Sequence, residues 1–408
     1  MRRPLLAIVV IAFALRLAYA ARSGALRHPQ VWEQERIATN LVERHEYVWD
    51  PPGRTQSWSY VEPMYPFLAA AVYLATDHDQ TVLVLVQLLM AAATVWMTAR
   101  ATRLATGDDL TAIAAALLMA VHPGFIRYSS VLHPLVLDAF FFIAAAAALI
   151  RYRHAPTLRR GLAAAAVIGL GSLTRPTILL FLAPLCWIAW RSRDSIGERV
   201  LRAASVAVLA LAILAPWTIR NAIVQHTFIL TRSGTGYVFW LGHNPLSTGS
   251  ARDAHFVELD EKAPPELRQR ILSADELTRD RIYTEAAWDY IRARPLAAIG
   301  RVLQRVYYFW WFSPQWGAAF SPALKIIYRA WWAFLLVLMA IGLFRTRHAA
   351  ARHDLWLMAC LALLISLGQS VYYVEGRHRL AIEPLVLPLA ACVLFRASPS
   401  VVVKGDAS

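Results

Sequence analysis

Cysteine is nearly absent: the 408 residues contain three, and none forms a CxxC pair. Cys186, Cys360 and Cys392 each lie in an apolar run. That argues against a disulfide framework or a thiolate metal site and reads as small buried hydrophobes. A P-loop and a GxGxxG turn are also missing, so no motif cradles a nucleotide phosphate. This weakens a nucleotide-driven pump or a cytosolic nucleotide-sugar enzyme. Acidic residues are few, 27 against 41 Lys and Arg, and the formal net charge is +14. So basic a chain normally points to nucleic acid. Its apolar fraction of 58% argues otherwise, and charged residues make up only 17%. Such a fraction excludes disorder. Uncharged runs recur along the whole chain, against a single soluble core. What remains is an all-α polytopic membrane protein with membrane lipids, and no nucleic acid, as partners.

Expected spans are 4–21, 81–99, 108–122, 132–150, 160–174, 177–190, 199–217, 327–344, 354–373 and 379–396. The first could pass for a signal peptide but reads better as an uncleaved helix. Runs 160–174 and 177–190 are short and are separated by Thr174-Arg175-Pro176. Proline breaks the helix there, and the arginine needs a polar partner. The piece 64–76 is too short to span and reads as an interfacial helix. With it kept out of the membrane, one set of loops holds 17 cations against six acids. The two long segments on the other side, 22–80 and 218–326, hold 18 of each. The positive-inside rule places the first set in the cytosol and the long segments outside. Three parts follow: a transmembrane module 1–217 with its outer loop 22–80, an extracytoplasmic helical cap 218–326, and final transmembrane helices with a short cytosolic tail, 327–408.

Chemistry is expected in the outer segments. Val31–Val42 predicts an amphipathic helix with Ile37, Ala38, Leu41 and Val42 on one stripe. Glu33 and Glu35 fall near opposite edges of that stripe, where one side of a carboxylate is dry and the other faces a cavity, a setting suited to a general base. The alternative is an acid placed at a helix N-terminus. Asp50 and Glu62 are secondary acids in a stiff Pro- and aromatic-rich loop, and Tyr65 follows as a substrate-binding candidate. In the second segment, glycines and small polar residues around Trp240-Leu241-Gly242-His243-Asn244-Pro245 allow close backbone approach, with His243 and Asn244 as substrate candidates. Ser273 to Glu276 reads as a capping box. The run Tyr307 to Phe312 fits an interfacial aromatic belt or a groove for a lipid chain.

Ionisable residues at membrane depth collect toward the outer face. They include Asp138, Arg175, Arg220 with Asn221, and the cluster Glu375, Arg377, His378, Arg379, Glu383. Arg16, Arg127 and Arg329 complete the cations left over from the loop counts. An arginine group of this kind holds an anion such as a lipid phosphate; the alternative is internal pairing, for example of Arg377 or Arg379 with Glu383.

Several stretches carry a resemblance, in order along nearly the whole chain: WEQERIATNLVERHEYV, EPMYPFLAA, GLGSLTRPTILLFLAP, APWTIRN, GTGYVFWLGHNP, DRIYTEAAWDYIRARP and RHRLAIEPLVLPLAA. Together the chain resembles the GT-C glycosyltransferases, which include dolichyl-phosphate-mannose–protein mannosyltransferases and the lipid A aminoarabinose transferase. The resemblance implies a GT-C-like bundle of about ten transmembrane helices with extracytoplasmic interfacial helices. It implies a polyprenyl-phosphate-linked sugar donor and transfer on the extracytoplasmic side. The acceptor, a glycan, lipid or protein with a hydroxyl, stays open, and the Ala- and Arg-rich composition points to a GC-rich bacterial genome and so to a bacterial cytoplasmic membrane. The resemblance also implies a catalytic acid in the first outer loop, which falls on Glu33. Relatives often carry Asp or paired acids there, so Glu35 is a rival. The TRP, IRN and RHR motifs place Arg175, Arg220, Asn221, Arg377 and Arg379 near the donor phosphate. A divalent cation is possible, with Asp50, Glu62 and His243 as conceivable ligands. The alternative function is a transporter or flippase of lipid-linked glycans, although no paired inverted halves are evident; a polymer ligase handling a diphosphate-linked glycan is a third.

Overall fold

The computed structural model describes residues 1–52, 55–191, 195–253, 255, 257–317 and 320–395. The expected tail beyond Phe395 lies outside the described residues, as do Gly53, Arg193 and Asp194. Apolar runs and their breakers translate directly into helices, the only regular element among the described residues apart from isolated bridges. The first half holds α1 (Arg2–Arg22), α2 (Glu33–Arg44), α3 (Met64–Thr76), α4 (Gln80–Thr106), α5 (Asp109–Ala120), α6 (Pro123–Tyr128), α7 (Leu135–His154), α8 (Leu158–Ser172), α9 (Leu182–Trp190) and α10 (Ile196–Gln225). The second holds α11 (Thr235–Gly242), α12 (Pro265–Ser273), α13 (Glu276–Ala293), α14 (Pro295–Trp310), α15 (Pro322–Thr346), α16 (Arg352–Ser370) and α17 (Gly376–Ala391).

By length and composition, α1, α4, α7, α10, α15 and α16 can cross a membrane. The other expected spans are shorter. Helix α8 has 15 residues, about 22 Å at 1.5 Å per residue and below the roughly 30 Å hydrocarbon core. As the sequence predicts, α8 stops before Arg175, and a 3-10 turn restarts at Pro176. Helix α17 is short because it is internal. Every residue from His378 to Ala391 is buried, and α5, α7, α15 and α16 surround it. Its prolines 384 and 388 remove backbone donors. Gly342 of α15 lies so close to α17 that a Cβ there would sit 1.9 Å from the Leu389 carbonyl oxygen.

Buried charges in the bundle are paired or capped. Arg16 is fully buried and donates to the carbonyls of Ala12, Met119 and Ala120, each at 2.9 Å. The last two belong to the negative end of α5, which a cation favours. Asp354 of α16 accepts from Arg153 at 2.7 Å and His154 at 2.6 Å, tying α7 to α16 on the face of the cationic loops. Of the cysteines only Cys392 is buried. Cys360 is exposed, contrary to the expectation, on an outward stripe of α16 with Trp356, Leu363 and Leu367. In lipid an outward-facing apolar residue carries no penalty.

Helices α11 to α14 form a cap with Trp240, Leu259, Ile271, Ile282 and Tyr283 packed together in it. Asp275, not Ser273, caps α13, accepting from Leu277 at 3.0 Å and Thr278 at 2.9 Å. Asp275 directly precedes the helix, so the expected box does not form. Glu276 instead reaches across to the first outer loop, accepting from the backbone of Trp58 at 2.6 Å and Ser59 at 3.1 Å. Arg305 of α14, fully buried, donates to the Ser370 carbonyl at 2.7 Å and locks the cap to α16.

Two glycine substitutions test this packing. Gly342→Ala should cost about 1–3 kcal/mol through overpacking, read as a lower melting temperature in detergent. Gly300→Ala, in the interior of α14 with nothing within 4 Å of the new Cβ, should stabilise by about 0.5–1 kcal/mol.

Candidate functional site

The chain entering α2 is laid against the loop before α7. The Leu132 amide donates to the Gln30 carbonyl at 2.9 Å, and Val31 bridges Leu132 in parallel. Trp32 is extended and caps α2. Its indole meets His133 edge-on at 5.2 Å and lies 4.7 Å from the Arg377 guanidinium. This clamp fixes Glu33, the first residue of α2, on the wall of a cavity of about 520 Å³. Two residues on, about 200° around the helix, Glu35 leaves on the other side. It accepts from the Tyr73 hydroxyl at 2.9 Å and the Gln80 amide at 3.0 Å, inside the packing of α2, α3 and α4.

The cavity has two walls of different chemistry. On the membrane side stand Arg377, at the start of α17, and Arg127 of α6. Arg377 pairs with Glu375 and donates to the Tyr373 hydroxyl at 3.0 Å. Arg127 lies 4.1 Å over the Phe320 ring, and its Nη1 is buried with no hydrogen-bond partner among the described residues. Trp32 Nε1 and Gln315 Oε1 are in the same state. Buried polar atoms without partners cost about 1–3 kcal/mol each; gathered around one cavity, they mark a place for a polar ligand. On the cap side the wall carries Trp49 stacked on Tyr60 at 4.1 Å, together with Tyr237, Ser250, Arg252 and Glu258.

Helices α6 and α17 are joined below the cavity. His122 caps α6 through its Nδ1, which accepts from the Phe125 amide at 3.4 Å, while its Nε2 bonds to Glu383 of α17. Arg379 Nε donates to Glu383 at 2.9 Å. The Arg379 guanidinium is buried between the rings of Phe312 at 4.6 Å and Trp332 at 4.2 Å. It therefore takes the internal pairing, one turn below the cavity wall.

Other sequence candidates sit elsewhere. Arg175 is paired with buried Asp138 at 2.8 Å. Arg220 donates to the carbonyls of Trp58 and Tyr47 and lines a second, largely apolar cavity of about 880 Å³ with Met64, Phe67, Leu173, Ile213 and Trp217. Asn221 is fully buried, accepting from Ser59 and donating to the Thr231 carbonyl, each at 3.1 Å. These two residues anchor the first outer loop to α10. Tyr65 is buried and donates to Gln87 at 2.9 Å. Asn244 closes the end of α11 by donating to the Trp240 carbonyl at 2.6 Å, and His243 packs on Phe239 at 4.7 Å. The conceivable cation ligands do not converge: Asp50 is held by Arg36, Arg44 and Asn40, Glu62 lies 3.7 Å from Arg232, and His243 contacts Arg305. Among the described residues no group of three His, Cys, Asp or Glu is placed to hold a metal. Arg127 was counted among the leftover cations of the sequence but was given no site role of its own. Its signal was weak, a single arginine in His122-Pro123-Gly124-Phe125-Ile126-Arg127 between two apolar runs.

With this geometry in hand, comparison is informative. A family model described as dolichyl-phosphate-mannose-protein mannosyltransferase matches residues 60–219. The archaeal oligosaccharyltransferase AglB from Archaeoglobus fulgidus, solved with an inhibitory peptide and a dolichol-phosphate, aligns with a TM-score of 0.51 at 13% identity, over 96% of this chain and 50% of AglB. Its apo form gives 0.52 at 14% identity, over 95% and 50%. The fold is of the GT-C type. ArnT from Cupriavidus metallidurans in the apo state aligns with a TM-score of 0.41 at 15% identity, over 96% of this chain and 77% of ArnT. The chain spans about half the length of the oligosaccharyltransferase it matches. No curated protein sequence matches it. The family match runs from α3 into α10, ending just before Arg220, and leaves Glu33, Arg377 and the cap outside its range.

One pH effect follows from the packing of His243 in the cap. His243 Nε2 accepts from Arg305 at 3.2 Å and Nδ1 donates to the Phe239 carbonyl at 3.2 Å, so the neutral ring fits. Burial, and then the Arg305 charge, push its pKa down to about 4. Below an unfolded pKa of about 6.5, the unfolded chain binds a proton that the folded one refuses. Stability present above that pH should therefore fall as pH drops through the window to about 4. Melting temperatures at pH 7.5 and 4.5 should drop more for the natural chain than for His243→Gln; equal drops would contradict the assignment.

Proposed function

We propose that the chain transfers a sugar from a polyprenyl-phosphate donor to an acceptor hydroxyl in the Glu33 cavity, on the extracytoplasmic face of a bacterial cytoplasmic membrane. One observation carries this reading: a carboxylate on a helix start faces the same cavity as two arginines, one with an unpartnered buried Nη1. Glu33 takes the proton of the acceptor hydroxyl while its oxygen attacks the anomeric carbon. The bond from that carbon to the phosphate oxygen breaks, and the electron pair leaves on the phosphate. Arg377 and Arg127 stabilise the charge that develops there. Direct displacement from the opposite face inverts the anomeric centre. Of the arginines read from sequence, Arg377 keeps its phosphate role and Arg127 joins it. Arg175, Asn221 and Arg379 support the framework, and Arg220 heads the apolar cavity. The cationic loops joining α7 to α8 and α15 to α16 lie at helix ends opposite the cavity, which supports the outward orientation. The flippase reading has less support, because the buried charges of the bundle close into local pairs rather than lining a path across it.

The test compares Glu33→Gln with Glu35→Gln in a deletion strain, reading envelope glycans and prenyl-phosphate sugars by mass spectrometry. Glu33→Gln should lower transfer by about 10²–10⁴ and accumulate donor. Glu35→Gln, whose partners are Tyr73 and Gln80, should retain most transfer. Full transfer by Glu33→Gln would remove Glu33 as the base. In purified protein, Arg127→Ala and Arg377→Ala should each weaken undecaprenyl phosphate binding about tenfold or more, equivalent to at least about 1.4 kcal/mol.

A further inference from the structure

We infer that the acceptor hydroxyl belongs to a saccharide. The inference rests on the transfer proposed above and names the acceptor class for the same cavity. The part of the lining contributed by the loop before α3 and by the cap carries a different chemistry from that of the arginines. Trp49 and Tyr60 stack at 4.1 Å and 15°, and Tyr237 adds a third ring. Arg252 grips Glu258 through Nε and Nη2, both 2.7 Å from the one carboxylate oxygen Oε1. Both side chains are about one-third exposed, 38% and 31%, and both line the cavity. Ser250 contributes a hydroxyl beside them.

Each property narrows the acceptor. Aromatic faces suit the C–H surface of a sugar ring, and a planar ion pair offers donors and acceptors to neighbouring hydroxyls. A site built to hydrogen-bond hydroxyls rejects ligands that lack them. The Arg252–Glu258 pair brings no net charge, so this wall does not favour an anionic headgroup. An extended peptide recognised by strand addition needs a sheet edge, and no strand longer than an isolated bridge exists among the described residues. The apolar cavity at Arg220 shares no lining residue with the Glu33 cavity, so a lipid held there would not meet the base. A volume of about 520 Å³ lies within the usual range for small-molecule sites.

Surface plasmon resonance on the full chain in nanodiscs tests the assignment. The probes are soluble mannan, arabinan, galactan and glucan oligosaccharides, a pool of Ser/Thr peptides, and undecaprenyl phosphate. At least one oligosaccharide should bind, and Trp49→Ala should weaken it tenfold or more. Glu258→Gln, a milder change that preserves shape, should weaken it several-fold. Both variants should hold undecaprenyl phosphate within twofold of the natural chain, which also establishes that they fold. Binding of the peptides alone, binding of no saccharide, or saccharide affinity unchanged in both variants would each overturn the proposal. Failure of the transfer reading shows separately, as undecaprenyl phosphate binding that ignores Arg127→Ala and Arg377→Ala.

Discussion

A carboxylate buried inside the membrane domain holds the site together. Glu383 takes His122 from one direction and Arg379 from another. His122 caps the short helix that carries Arg127, and Glu383 lies two turns along the helix that begins with Arg377. The two cations of the cavity thus share one internal anchor. Such an anchor is costly to assemble, since each ion must leave water. Once built it is unforgiving, because removing one partner strands a buried charge at about 3–5 kcal/mol. Two flat rings on either side of Arg379 complete the enclosure. A six-residue helix such as α6 has little stability of its own; its position comes from this bond and from the packing of Phe125 in the core.

Glu33 is set by a separate device that ends at the same place. Trp32 is clamped between His133, on the loop after α6, and Arg377, on α17. Glu33 must follow wherever Trp32 is fixed. The carboxylate and the cations are therefore held by neighbouring elements, which is what a proton transfer and a leaving group on opposite sides of one carbon require. The cap is tied to the rest of the chain through Glu276, which accepts from the backbone of Trp58 and Ser59 in the loop before α3, and through Arg305, which donates to the Ser370 carbonyl of α16.

Much of this was legible in the chain itself. Apolar runs and the Arg175-Pro176 break gave most helix bounds to within about five residues, because burial in lipid and proline stereochemistry act locally, while α4 and α10 run seven and eight residues past their apolar runs. The stripe on α2 placed Glu33 and Glu35 on different sides, but only the packing of Tyr73 and Gln80 decides which side is closed. Partners of the arginines were not legible. Asp138 meets Arg175 across 37 positions, and Arg220 spends its donors on loop carbonyls that carry no side-chain signal. Arg127 was counted among the leftover cations but given no role, because a short helix between two spans has no periodicity to read. The cap of α13 shifted to Asp275 because two acceptable capping residues stand close together, and sequence alone does not rank them.

The central claim is that a lipid phosphate and Glu33 meet in one cavity. It is tested most directly by a cryo-electron microscopy structure of the full chain in nanodiscs with undecaprenyl phosphate bound. The account predicts phosphate density within hydrogen-bond distance of both Arg127 and Arg377, on the membrane side of Glu33. Density beneath Arg220 in the apolar cavity, with the Glu33 cavity empty, would contradict it.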